Sequence, residues 1–286
     1  MKDLSIIIVN TNNKKILREC LASIFQNTHK PSLEVIVSDN GSKDGSQEMV
    51  KTSFPQIILI ENGENLGFIK ATNKGLKIST GRYVCLLNDD TITKDSAFDK
   101  MVEFMEKSQK KIGCCAPTLL NVDGTFQHQG GLLQKKFWLS NEPVEISFAI
   151  GACLLLRREV MDKIGYLDEK LFFYNDDLDY CIRIKKAGYK IYFVPSAKIM
   201  HYGGYSSKRS FNRKLFVEGV SGGLYFARKH YGLFAYILYR LILFICLLIF
   251  IPFLIISYPF KRKKFLDRLM AYFDILGICV FLNSNY

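Results

Sequence analysis

Short apolar runs alternate with helical-period stretches over the first hundred residues, and a polar loop closes each run. Leu4 to Val9 is β-branched and short enough for a buried parallel strand. Ile16, Leu17, Cys20, Leu21, Ile24 and Phe25 then share one face of a helix. Leu33–Val37 reads as a second strand, followed by a Gly/Ser/Asx turn leading into a helix start, and Ile57–Ile60 as a third strand. A helix from about Ile69 to Ser79 leads through Thr80-Gly81-Arg82 into a fourth strand, Tyr83–Leu87. This β-α alternation predicts an α/β fold built on a mainly parallel sheet, with right-handed crossovers and its loops gathered on one edge.

Beyond that strand, Thr93 or Asp95 is expected to cap a helix running to about Ser108. Residues 112–145 are less regular: Gly113–Pro117 reads as a strand and the stretch around His128 to Gly131 as a loop or hairpin. Phe148–Leu156 is a strand interrupted by Gly151-Ala152, small residues that mark close approach by a ligand or another backbone. Leu178, Cys181, Ile182 and Ile184, with Gly188 as a stop, predict a helix; Tyr189–Val194 predicts a strand, and Ala197–Met200 leads to His201. From Ser206 the pattern gives a loop and a basic amphipathic helix to His230. Leu233–Phe260 is then apolar apart from Arg240, and Leu241–Phe260 reaches the ~20 uncharged residues a helix needs to span a bilayer. Pro252 and Pro259 allow a bent, re-entrant or interfacial arrangement that keeps both basic flanks, including Lys261–Lys264, on the cytosolic leaflet. The expected division is 1–205 as the α/β domain, 206–232 as loop and basic helix, and 233–286 as a hydrophobic membrane-associated region.

Composition narrows the partners. The 286 residues are 49% hydrophobic and 23% charged, with net charge +12 and pI near 9.2. Anionic lipid or a polyanionic substrate fits that balance; no basic stripe with interleaved aromatics appears, so nucleic acid is not expected. The eight cysteines form no CxxC pair and no Cys/His metal spacing, and read as buried thiols of a reducing compartment. Polar Asp3 ahead of a short strand-like run does not read as a signal peptide.

The candidate chemistry lies where strands end. Tyr83–Leu87 runs into Asn88-Asp89-Asp90, which is good turn chemistry but also two adjacent carboxylates that repel each other unless a cation lies between them. Mg²⁺ or Mn²⁺ would take such oxygen ligands together with substrate phosphates. Asp39 ends strand two, where an acid can accept from a nucleoside or cap the next helix. Asp176, Asp177 and Asp179 open a helix, as the dipole favours, yet exceed what capping needs, and the aromatic run Phe172-Phe173-Tyr174 before them would raise a carboxyl pKa or wall a sugar ring. His201, at a strand end before Gly203-Gly204, is a ligand candidate. There is neither a GxGxxG after strand one nor a Walker lysine loop, so the nucleotide-binding architecture is not a dinucleotide or P-loop one.

In this order the blocks resemble the inverting family 2 glycosyltransferases with the GT-A, Rossmann-like fold, in particular their bacterial rhamnosyltransferase-like branch. The resemblance rests on Ser5–Asn12, Val37–Ser46, Asn65–Phe68, Thr80–Thr91, Gly151–Glu159, Phe172–Gly188, Val194-Pro195 and His201–Gly204. It implies that Asn10, Thr11 and Asp39 hold the base and ribose of a nucleotide-sugar, with Asn65 near the nucleoside or sugar. Asn88-Asp89-Asp90 matches the family's metal-binding block; Asn replaces its first acid, so Asn88 and Asp89 fall to the nucleotide-sugar and Asp90 to a Mg²⁺ or Mn²⁺ ion, with His201 as a further ligand. Asp176-Asp177 matches the family's acidic pair, with Asp for the usual Glu, implying Asp177 as general base and Asp176 as its close alternative. The implied activity is transfer of a sugar, rhamnose from dTDP-rhamnose in the first instance and a UDP-sugar in the second, to a lipid-linked oligosaccharide or polysaccharide at the cytoplasmic face of a bacterial membrane. A nucleotidyltransferase would need a Gly-rich, Lys/Arg-bearing first loop for a triphosphate, which is missing, and a non-catalytic scaffold would not need Asp90, Asp176 and Asp177.

Overall fold

The computed structural model describes residues 2–129, 139–171, 175–203, 212–256 and 262–280, the last stretch without the side chains of 262–264. The expected aromatic wall 172–174, the loop at 206–211 and Lys261 lie outside the described residues. The chain divides into two compact units, Met1–Asp168 with Asp176–Gly203, and Glu169–Asn175 with Gly204–Tyr286.

In the first unit, β1 (Leu4–Asn10) lies between β2 (Leu33–Asp39) and β4 (Tyr83–Asn88), parallel to both, and β3 (Ile58–Glu61) extends the same parallel half beyond β2. β1 is buried on both faces, which is why it reads as one apolar run rather than an alternation. The crossovers are α1 (Lys14–Gln26), α2 (Ser46–Ser53) and α3 (Phe68–Ile78). α1 buries Ile16, Leu17, Cys20, Leu21 and Ile24, the face its spacing predicts. Gly75 of α3 lies so close to the sheet that a Cβ there would meet Ile7 Cγ2 at 2.7 Å.

Past β4 the sheet becomes mixed, in the order β3-β2-β1-β4-β8-β6-β9-β5 with β7 beside β9. Here β6 is Ile112–Leu120, β7 Val144–Ile146, β8 Cys153–Arg157 and β9 Lys190–His201; β8 runs antiparallel to β4 and β6, whereas β6 and β9 are parallel. The helices of this half are α4 (Ala97–Lys107), α5 (Arg158–Ile164) and α6 (Asp176–Lys186). Two details differ from the sequence pattern. Thr91–Lys94 forms a short strand, β5, paired antiparallel with β9, so α4 starts only after Asp95 and Ser96, which turn the chain at φ 50° and 55°. β9 is one strand through Pro195: the register with β6 jumps from Pro117↔Val194 to Thr118↔Lys198, so the proline falls in a bulge where no ladder bond is lost. Cys20, Cys85, Cys114, Cys115, Cys153 and Cys181 are buried free thiols, and burial pushes Cys20 up to about 12.

The second unit contains α7 (Arg213–Ile256) and α8 (Arg262–Val280). Gly232 (φ 84°, ψ −175°) breaks α7 into 213–231 and 233–256. Of the described helices, α7 is long and apolar enough to cross a membrane, and only 11% of its most apolar window is buried within the protein. Leu247, Ile251 and Ile275 form a small core with Val217, Val220 and Leu269 against them.

Candidate active site

Register alone brings the first group of polar residues together. Asn10 pairs with Asp39 across β1–β2, and Val9 with Asn88 across β1–β4, so three strand ends present their side chains along one carboxyl edge. Asn10, fully buried, donates from Nδ2 to Asp39 Oδ2 (2.8 Å) and to Ser42 Oγ (2.9 Å). Asp39 Oδ1 in turn accepts from the Ser42 N–H (2.9 Å) and from Gln47 Nε2 (2.7 Å). The Asn10 Oδ1 atom is buried without a partner, the kind of acceptor that a bound donor group satisfies. Thr11 is half-buried next along the chain. Asn65 is exposed, and its Oδ1 accepts from Asn40 Nδ2 (2.8 Å), which ties the loop after β3 to the loop after β2. Gly41 permits that contact: its φ is +77°, and a Cβ would fall 2.8 Å from the Glu64 backbone.

The second group is made by the β5–β9 pairing, which sets Thr91 opposite His201. His201 Nε2 then lies 3.2 Å from Asp90 Oδ1 and 3.4 Å from Asn88 Nδ2, all but closed to solvent. Gln127 sets the state of the ring. Its Nε2 faces two oxygens, Asn121 Oδ1 (3.2 Å) and His201 O (3.3 Å), which turns its Oε1 to His201 Nδ1 at 2.7 Å. An amide oxygen there requires a proton on Nδ1, so that in its neutral form the ring turns its Nε2 lone pair toward Asp90, as a metal-ligating histidine needs. Two lone-pair atoms facing each other at 3.2 Å repel unless a cation or proton lies between them. This O/N pair would suit a divalent ion that took its other ligands from outside the protein; among the described residues no group of three or more His, Cys, Asp or Glu converges to hold an ion alone. Asp89 points elsewhere: its Oδ2 accepts from Asn13 Nδ2 (2.9 Å), and burial, with Asp90 beside it, pushes it up to about 7.

The third group reaches the same edge through the loop before β8. The Asn88 N–H donates to Ala152 O (3.0 Å), and the Gly151 N–H to Asp177 Oδ2 (3.0 Å). The neighbour at Gly151 is the Asp177 side chain rather than another backbone, and it leaves room for a Cβ, which would sit 3.5 Å from Asp177 Cβ; Asp177 Oδ1 also accepts the Leu178 N–H (2.8 Å). Burial raises the Asp177 carboxyl and those N–H groups oppose the rise. Asp176 is pushed up to about 7, by burial first and then by Asp177 beside it. Asp179 is fully buried and bonded to Arg183 Nε (2.8 Å), a structural pair. The sequence pattern does not single out Asn13, Ser42, Gln47 or Gln127. Asn13 and Ser42 lie in the polar loops that close β1 and β2, whereas nothing local distinguishes Gln127.

A parallel βαβ half continued by antiparallel strands, with its polar loops on one edge, is the architecture of GT-A glycosyltransferases. A mannosyltransferase of Pyrobaculum calidifontis, solved with GDP-Man and Mn²⁺, superposes with a TM-score of 0.59 at 14% identity, covering 97% of this chain and 86% of its own. GalNAc-T7, solved with UDP, GalNAc and Mn²⁺, gives 0.58 at 18% identity over 70% of this chain and 43% of its own. More particularly, residues 5–165 match the profile of Glycosyl transferase family 2, and the chain belongs to that family. The N-acetylglucosaminyl-diphospho-decaprenol L-rhamnosyltransferase of Mycobacterium tuberculosis is 26% identical over 264 residues, 80% of this chain and 85% of that protein. The O-antigen biosynthesis protein RfbC of Myxococcus xanthus is 23% identical over 219 residues, 69% of this chain but 17% of its own length. This protein is therefore a glycosyltransferase. The profile match ends before Asp176, Asp177 and His201.

Proposed function

We propose that this enzyme is a membrane-associated inverting transferase that moves rhamnose from dTDP-rhamnose to a hydroxyl of a growing, lipid-linked cell-surface glycan at the cytoplasmic face of the membrane. The observation that carries the reading is the convergence on one sheet edge of the Asn10–Asp39 pair, the Asp90–His201 pair and Asp177. The choice of sugar and of a lipid-diphosphate acceptor is supported by the mycobacterial relative, whose name specifies both an L-rhamnosyl group and a decaprenol-linked one. Residues 1–205 are taken as the catalytic domain, 206–232 as a basic connection and 233–286 as the membrane-associated region.

In this reading Asn10, Thr11 and Asp39 bind the nucleoside, Asn65 closes over it, and Asn88 and Asp89 line the path to the sugar. Asp90 and His201 would hold Mg²⁺ or Mn²⁺, which when bound offsets the charge of the departing diphosphate. Asp177 takes the proton from the acceptor hydroxyl as that oxygen attacks the anomeric carbon from the face opposite the diphosphate. Its two backbone N–H bonds fix the carboxylate, and its raised pKa brings it nearer the working pH that general base catalysis favours. The single displacement needs no covalent intermediate, and Cys20, Cys85, Cys114, Cys115 and Cys181, whose thiols burial holds above their ordinary range, are not activated nucleophiles.

The test is nucleotide release from dTDP-, UDP- and GDP-sugars in membranes carrying native lipid-linked acceptors, with Mg²⁺ or Mn²⁺ and with EDTA. Turnover of dTDP-rhamnose that EDTA abolishes is expected. Turnover of a UDP-sugar alone would replace the donor, and EDTA-resistant turnover would remove the metal from the scheme.

A further inference from the structure

From the packing of the second unit we infer that residues 212–280 form a monotopic anchor, which lays one side of the 233–256 helix into a single leaflet of an anionic bilayer and does not cross it. This deepens the membrane-associated reading above and rests on it.

Three helices lie side by side here. A Cβ at Gly223 would be 3.0 Å from the Tyr239 hydroxyl, and Val220 packs with Leu247 and Ile251. In one continuous helix residues 220 and 247 would be about 40 Å apart. The break at Gly232 therefore folds 213–231 back along 233–256. α8 runs back along the same helix: Arg240 Nε donates to Cys279 O (2.8 Å), while Ile275, one turn earlier, packs with Leu247 and Ile251.

The flanking helices are charged where a spanning helix would need them apolar. Arg213 and Asp274 form a two-pronged ion pair (2.6 and 2.6 Å) with side chains 37% and 36% exposed. Asp274 neighbours Ile275 and so stands level with the Leu247–Ile251 stretch, about 8–14 Å short of the Ile256 end. That helix is about 36 Å long and a hydrocarbon core about 30 Å thick. Were 233–256 to cross it, Arg213, Arg240 and Asp274 would lie in hydrocarbon, where charged groups are strongly disfavoured.

The surface of 233–256 turned away from these helices is apolar from end to end. Phe234, Leu238, Leu241, Ile245, Ile249 and Ile256 recur at three-, four- or seven-residue intervals and are 45–80% exposed. A face of that length and character belongs in the acyl region of a leaflet, with the charged flanks at headgroup level. The sequence of 212–256 and 262–280 contains nine Lys/Arg against three Asp/Glu, a net +6, which selects anionic headgroups.

The experiment reconstitutes the full-length protein from detergent into phosphatidylcholine vesicles with and without phosphatidylglycerol, the lipids brominated near the headgroup or near the bilayer centre. Tryptophan is placed at one exposed position at a time, Ile245→Trp or Ile256→Trp, in a Trp138→Phe background. The inference expects both positions to be quenched by shallow bromine, to within twofold of each other, and at least tenfold stronger co-flotation when phosphatidylglycerol is present. Deep quenching at 245 with shallow quenching at 256 would overturn it in favour of a span. Absence of co-flotation with either vesicle would sink the membrane reading itself, and co-flotation indifferent to headgroup would refute the anionic selection.

Discussion

Replacing Gln127 with leucine removes the amide oxygen that holds the His201 proton on Nδ1. The ring is nearly buried, so an unsatisfied Nδ1–H is costly, whereas moving the proton to Nε2 creates a charge-assisted bond to Asp90 Oδ1, already 3.2 Å away. That bond occupies both atoms offered to an ion and must be broken before either can ligate. Loss of a partner that orients a metal ligand typically weakens binding 10- to 100-fold, about 1.4–2.7 kcal/mol. Mn²⁺ titration followed by electron paramagnetic resonance, with a nucleoside diphosphate present, should show that loss for Gln127→Leu. Gln127→Glu keeps an acceptor facing Nδ1 but turns its other carboxylate oxygen against Asn121 Oδ1 and His201 O, so its Mn²⁺ affinity should fall between wild type and Gln127→Leu. Long-range ¹H–¹⁵N correlation spectra report the tautomer directly, and with four histidines in the chain the His201 signals are assigned by their loss in His201→Asn. Unchanged Mn²⁺ affinity in Gln127→Leu, or an Nε2–H tautomer in the wild type, would refute the reasoning.

Asp177→Asn should lower kcat by roughly 10²–10⁴ with nucleotide-sugar affinity intact, because it removes a general base and not a donor contact; an equal loss in Asp176→Asn alone would move the role one residue. Because the Asp177 carboxyl is raised and the base works deprotonated, kcat/KM should fall as pH drops through a value above the ordinary 3.8, and an acid limb at or below 3.8 would contradict the assignment. Asp3 is lowered to about 2, first by the Ser32 N–H and hydroxyl and then by Arg82. Its folded pKa lies below its unfolded one, so the stabilisation is present above about pH 4 and lost as pH falls through 2. Discounted for the half-exposed Arg82, it should amount to about 1 kcal/mol at pH 6, read as the urea-midpoint difference between wild type and Asp3→Asn and shrinking toward pH 2. Gly75→Ala pushes a methyl to within 2.7 Å of Ile7 Cγ2 and should cost about 1–3 kcal/mol despite alanine's better helix propensity; an unchanged melting temperature would show that α3 can shift off the sheet.

What the sequence discloses and what it hides divide along locality. The parallel half was legible because β1, β2 and β4 are buried on both faces and write themselves as apolar runs, with α1 and α3 at helical spacing between them. Asp39, Asp89 and Asp90 stood out by their places at strand ends, whereas Asn10 and Asn88 were marked only by the resemblance to family 2 glycosyltransferases. β5 was not legible, because four residues, Thr-Ile-Thr-Lys, declare nothing until β9 pairs with them. The same dependence hid Gln127, whose place beside His201 comes from strands far apart in sequence. The continuity of β9 was obscured by Pro195, a reliable strand-breaker except at a bulge.

The pairing of β5 with β9 also sets an order of assembly during synthesis. Asn10 and Asp39 can meet once the first three helices and four strands have left the ribosome, but His201 is 111 residues further on than Asp90. At ~5–20 residues per second, that interval is on the order of 5–20 s. On the proposed roles, a nascent chain would acquire its nucleoside pocket well before it could seat an ion, and one arrested between the two would dock a donor while lacking the means to let its diphosphate go.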